Sequence, residues 1–146
     1  MAQPAASSPA AGGRLTPAPL RGRLHVVGRS GVWSLALYGA LSLLMFGLAV
    51  LDDPRHAIVA ADEIDSSQFI WFYGWWPHAL LDGLNPFVTH YQFAPEGFNL
   101  QWATSVPLPS ILLAPLTLAL GPVITWNVVQ LAAPALNAWT AFLLCR

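Results

Sequence analysis

The sequence predicts an all-α membrane protein, with transmembrane helices joined by a long acidic and aromatic loop. Three observations carry that prediction. Of the 146 residues, 55% are hydrophobic and only 9% are charged, whereas a soluble domain carries about 25% charged residues. The charges are sorted along the chain. Arg14, Arg21, Arg23 and Arg29 precede the first long apolar run, and all seven acids follow it with only Arg55 among them. The third observation is two uncharged stretches, residues 32–51 and 123–144. At about 1.5 Å per residue, either makes a helix about 30 Å long, the thickness of a bilayer's hydrocarbon core.

Residues 1–31 are rich in Ala, Pro, Gly, Ser and Arg. Too few apolar side chains are present to offset ordering entropy, so this stretch is predicted to be a disordered basic tail. Its arginines read as a topogenic signal that keeps the tail cytoplasmic and touches anionic lipid. A solvated charge cluster is the plainer alternative. Residues 32–51 then cross the membrane. A cleaved signal peptide would have a shorter apolar region, about 7–15 residues, ending in an A-x-A-like site. Here the run is long and closes with Ala49-Val50-Leu51-Asp52.

Residues 52–105 form the predicted extracytoplasmic loop, which carries a charge of −6 (seven acids less Arg55). Asp65 followed by Gln68 has the form of a helix N-terminus. On a helical wheel Ser67, Gly74, His78 and Asp82 align near Trp71. Pro77 is predicted to split this helix into pieces near 66–76 and 77–82, closed by Gly83. Trp71, Tyr73, Trp75 and Trp76 favour the headgroup level, so the helix is expected to lie along the membrane surface. Asn85-Pro86 and Ala94-Pro95-Glu96-Gly97 read as turns, flanking an aromatic linker, residues 87–93. Residues 106–120 are apolar but short, with three prolines, and suit a re-entrant helix, or a tilted span. Residues 123–144 span the membrane again. Their Asn127, Gln130, Pro134 and Asn137 share a face, which predicts contact with another helix.

The chemistry sits in the acidic cluster. Asp62 and Asp65, one helical turn apart, would repel by roughly 2–3 kcal/mol at an effective dielectric of about 20. That makes a candidate general base, or a cation site. The competing account has Asp65 capping the helix while Asp62 and Glu63 are merely solvated. His78 and Asp82, four apart, can pair or face one cleft, and a surface histidine at the headgroup level is the plainer and favoured account. His90 and Glu96 are conceivable metal ligands, but their spacing is not diagnostic. The single cysteine, Cys145, excludes an internal disulfide. No Gly-rich phosphate loop, nucleic-acid-binding element or basic patch lies in the loop.

Several blocks carry a resemblance: Asp65-Ser66-Ser67-Gln68-Phe69-Ile70-Trp71-Phe72, Trp75-Trp76-Pro77-His78-Ala79-Leu80, Gly83-Leu84-Asn85-Pro86-Phe87, Pro95-Glu96-Gly97-Phe98-Asn99-Leu100 and Thr104-Ser105-Val106-Pro107-Leu108. Over about residues 32–146 the chain resembles the N-terminal part of bacterial multi-spanning glycosyltransferases of the GT-C fold. The resemblance implies transfer of a sugar from a polyprenyl-phosphate donor to an acceptor outside the cytoplasmic membrane. It implies that an acid of the first outer loop activates the acceptor hydroxyl, sometimes beside a divalent metal. Asp65 best matches that acid, with Asp62 or Glu63 next, and His78, Asp82, His90 and Trp71 are the expected substrate-binding residues. Such enzymes have more spans, so the chain is expected to be an N-terminal fragment, inactive alone. Its expected partners are membrane lipid, a lipid-linked sugar donor, and further C-terminal spans or a partner membrane helix. The competing expectation is a small non-catalytic membrane module that binds a partner through the face from Asn127 to Asn137.

Overall fold

The computed structural model describes residues 28–59 and 63–145, with Glu63 described by its backbone only. The tail arginines Arg14, Arg21 and Arg23, the candidate acid Asp62 and Arg146 lie outside the described residues. The described residues are mostly helical, 69%. The expected helical class holds to that extent, and two helices are long and apolar enough to cross a membrane.

The first of them starts with α1, Arg29–Ser42, three residues earlier than the apolar pattern suggests. Gly28 is extended, and its carbonyl accepts from the N–H groups of Gly31 and Val32. The rod continues through a π turn at Leu43–Gly47 and a 3-10 turn at Leu48–Val50. From Arg29 to Val50 it has 22 residues. The second is α5, Pro122–Leu144, with proline at its first position, where no N–H is needed. Pro134 lies inside α5 without ending it.

These two helices pack antiparallel. Trp139 Nε1 donates to Gly31 O at 2.8 Å, and Ser42 Oγ donates to Leu131 O at 2.7 Å. At the far end Asn127 gathers the chain that leaves the first helix. Its Oδ1 accepts from Val59 N at 2.9 Å, and its Nδ2 donates to Pro54 O and Ala57 O at 3.2 and 2.9 Å. Trp126 Nε1 adds a bond to Val59 O at 2.9 Å. The expected polar face therefore works differently from the sequence reading. Asn127 meets loop backbone rather than a helix, Gln130 is half-buried, and Asn137 is exposed. Asn127→Leu would strand the Val59 N–H, at roughly 1–3 kcal/mol for an unpaired buried group. The expected outcome is earlier protease cleavage in residues 52–59, with α1 and α5 still packed.

Between the two long helices, α2 spans Glu63–Leu81 as one helix. The predicted break at Pro77 does not occur. An interior proline costs about 3 kcal/mol, but the residues around it are locked in place. Trp75, Trp76 and Ala79 are buried, Trp75 Nε1 donates to Pro86 O at 2.9 Å, and Trp76 Nε1 donates to Ser105 O at 2.7 Å. Burying one such ring removes about 150–250 Å² from water, roughly 4–6 kcal/mol, which exceeds the proline penalty. Gly83, at φ +68°, closes the helix as expected, with Leu84 N donating to Ala79 O.

The same burial corrects the expected tryptophan shelf. Tyr73, Trp75 and Trp76 face protein, not a headgroup layer. The core is Phe72, Trp75, Trp76, Ala79 and Leu100, flanked by Phe69, Trp71, Phe98, Ala103 and Val106. The chain after α2 covers it. A short antiparallel ladder, β1 (Val88–Thr89) with β2 (Phe98–Asn99), pairs Val88 with Asn99 and Thr89 with Phe98. Both expected turns form: Asn85 Oδ1 accepts from Phe87 N, and Gly97 N donates to Phe93 O. Gly97, at φ +80°, admits no larger residue, because a Cβ there would sit 2.7 Å from His90 Nδ1 and 2.8 Å from Thr89 O.

Residues 106–120 resolve into α3 (Pro107–Leu112) and α4 (Ala114–Leu120). Pro115, with no N–H and a ring that clashes one turn back, explains the break. Thr117 Oγ1 lies 3.0 Å from Thr125 Oγ1, joining α4 to α5.

Candidate functional site

The candidate site is built on α2, whose flanks open into three neighbouring clefts. At about 100° per residue, positions two apart point to nearly opposite faces of a helix. Asp65 and Ser67 are such a pair, and they line different clefts.

On one face, Asp65 lies in the first turn of α2, not at its cap, since the helix already starts at Glu63. Asp65 is exposed. With Gln68, Phe69, Phe72, Phe98, Trp102, Ala103 and Thr104 it lines a cleft of about 400 Å³. The arrangement offers one acceptor carboxylate on an aromatic floor. Phe69 is itself stacked on Trp126, with ring centres 5.8 Å apart, so α5 fixes this end of α2. The aromatic partners Phe98 and Trp102 come from β2 and the 3-10 turn at Leu100–Trp102.

On the opposite face, Trp71, Gly74, Trp75 and His78 meet Tyr91 and Pro122 around a cleft of about 420 Å³. The helical strip predicted through Ser67, Trp71, Gly74 and His78 is this wall. Trp71 stacks on Trp75 at 5.3 Å and 9°. Tyr91 stands edge-on to Trp75 at 5.7 Å and to His78 at 6.0 Å. His78 and Asp82 pair as the spacing allows, Nδ1 to Oδ2 at 2.9 Å. An ionised carboxylate only accepts, so Nδ1 carries the proton, and in the neutral imidazole Nε2 is the acceptor. A third groove, about 560 Å³, is lined by Ile64, Ser67, Gln68, Trp71, Gln92 and Phe93. It shares Ser67 and Trp71 with the aromatic cleft and Gln68 with the Asp65 cleft.

The expected site residues thus fall in separate places. Trp71 and His78 share the aromatic cleft, with Asp82 behind His78. Asp65 is on the other face, and 13 residues of helix separate it from His78, roughly 20 Å. His90 lines none of these clefts and packs against Gly97. Asp62 lies outside the described residues, as does the side chain of Glu63. Tyr91 is the cleft residue that the sequence reading missed. Its signal was its place in the aromatic linker, but only the β1–β2 turn carries it back to α2.

The cation site expected at Asp62 and Asp65 includes a residue outside the described ones. Among the described residues no three His, Cys, Asp or Glu side chains converge, and His90 and Glu96 form no such group. Elsewhere, the His56 ring donates to Asp53 at 2.8 Å and holds that carboxyl below its ordinary 3.8. This pairing exists above the ordinary carboxylate range and is lost as pH falls through the lowered value. His56→Ala should move the Asp53 titration up toward the ordinary range, readable by carboxyl ¹³C NMR. Burial pushes the Tyr73 phenol up, so it stays neutral at physiological pH.

No family model matches the chain, and neither a curated protein nor a solved structure matches it.

Proposed function

We propose that this chain is the N-terminal part of an integral membrane glycosyltransferase that moves a sugar from a polyprenyl-phosphate donor to an extracytoplasmic acceptor. Asp65 is the general base that takes the proton of the acceptor hydroxyl. The observation that carries the reading is the antiparallel pairing of the two long helices. It makes residues 51–121 leave and re-enter at one end of the pair, and that segment holds every acid of the chain. Arg29 lies at the other end of the pair, in the first turn of α1.

Membrane insertion is supported by exposure as well as length. Only 11% of the most apolar window of either helix is buried, and Trp33, Leu37, Leu44, Met45 and Leu48 face outward. A core helix of a soluble protein would have those side chains covered. The excess of arginine before the first span orients the tail inward and the acids outward. The sugar chemistry rests on the resemblance of residues 32–146 and on an accessible carboxylate beside an aromatic-floored cleft.

The test is transfer from polyprenyl-phosphate sugars in membranes carrying the full-length protein. Asp65→Ala should abolish transfer at unchanged expression, and full activity of that variant would dispose of the assignment. With Cys145 replaced by serine, thiol labelling of Asp53→Cys from the cytoplasmic side alone would overturn the orientation.

A further inference from the structure

We propose that the aromatic cleft between α2 and Tyr91 holds one pyranose ring of an extended saccharide acceptor, away from the reacting hydroxyl at Asp65. The choice of a sugar over other neutral ring compounds rests on the transferase reading. The shape and chemistry of the cleft come from the structure alone.

Its volume, about 420 Å³, lies within the roughly 300–1,000 Å³ of small-molecule sites. Its walls are aromatic faces and edges, from Trp71, Trp75 and Tyr91. The C–H bonds on one face of a pyranose carry slight positive charge, which suits the negative face of an aromatic ring. Polar groups lie at both ends of the strip, the Ser67 hydroxyl and His78. With His78 Nδ1 paired to Asp82, Nε2 faces the ligand as the free ring nitrogen, an acceptor for a sugar hydroxyl in the neutral ring and a donor to a hydroxyl oxygen in the protonated one. Among the described residues no arginine lines the cleft, so no permanently charged cation there neutralises a phosphate. An uncharged ligand is the match.

Gly74 keeps the floor open. A Cβ at this position would meet only Pro122, at 3.8 and 3.9 Å, so the helix backbone is accessible in the middle of the cleft. The groove that shares Ser67, Trp71 and Gln68 leads from here toward Asp65, with amide groups from Gln68 and Gln92 along it. The distance along α2, roughly 20 Å from His78 to Asp65, exceeds one sugar ring. An oligosaccharide can occupy both ends at once, and a monosaccharide cannot.

The experiment is saturation-transfer NMR on the full-length protein in lipid nanodiscs, with maltotriose, mannotriose and chitotriose as probes. At least one should receive saturation, strongest at the axial C–H protons of one ring. Tyr91→Ala removes an exposed wall, and Gly74→Leu fills the floor. Either should weaken that binding at least tenfold, while Asn137→Ala, an exposed change on α5 that lines none of the clefts, should leave it within twofold. No transfer to any of the three probes, or unchanged binding in both cleft variants, would overturn the proposal. So would displacement of Tyr91 contacts by geranylgeranyl phosphate alone, which would make the cleft a lipid groove. The two readings fail separately. Saccharide binding without any sugar transfer removes the enzyme and keeps the cleft. Transfer that needs Asp65 but ignores Tyr91 and Gly74 keeps the enzyme and removes the cleft.

Discussion

Sugar transfer is expected to fall roughly 10²–10⁴-fold when Asp65 becomes asparagine, the usual contribution of a positioned general base. In barrier height that is about 3–5 kcal/mol. Asparagine keeps the shape of the side chain and can still accept a hydrogen bond, but it cannot take up a proton at neutral pH. The structural cost is small by comparison. Asp65 is exposed in the first turn of α2, and losing its charge near a helix N-terminus costs about 0.3–1 kcal/mol. Initial rates and detergent-resistant protein yield, measured on the same membranes, separate the two effects. Asp65→Glu should recover part of the rate, because it restores the base at a displaced position. An Asp65→Asn protein as active as wild type would exclude this carboxylate from the reaction.

The second large effect is on folding. Trp76→Ala should lower the stability of the region above the two long helices by about 3–5 kcal/mol. Trp76 is 2% exposed, meets Phe87 edge-to-face at 5.3 Å, and donates its indole N–H to Ser105 O. Removing it opens a cavity under the β1–β2 ladder and leaves a buried carbonyl unpaired, a further 1–3 kcal/mol or so. Against a typical margin of about 5–15 kcal/mol, this is enough to loosen residues 82–106. Trp76→Phe keeps most of the volume and should cost only the hydrogen bond. Hydrogen exchange of the Thr89 and Leu100 amides reads both variants. Equal protection in wild type and Trp76→Ala would show that the packing seen here contributes nothing.

How much of this was legible in the sequence differs by element. The two long helices were visible within three residues, because uncharged runs of that length have one cheap environment. The helix after Asp65, its closure at Gly83 and the turn at Gly97 were visible too, since each depends on neighbours in the chain. The His78–Asp82 pair follows from helical spacing. The break at Pro77 was expected and is absent, because local cost was weighed without the burial of Trp75 and Trp76. The headgroup location expected for the same aromatics failed for the same reason. Their covering comes from residues 87–106, which no local pattern assigns to that face.

By itself the sequence determined a tail and a loop of opposite charge, the two long apolar helices between which the loop lies, and the strip of residues on one side of α2. Those are properties of composition and period, set by each residue and its nearest neighbours. Tertiary structure alone decided that the two long helices run antiparallel, that Asn127 ties down the returning loop, and that Asp65 and His78 line different clefts. It also brought Tyr91 to Trp75 across sixteen residues. Those are contacts between distant parts of the chain, and their energy exists only once the whole has packed.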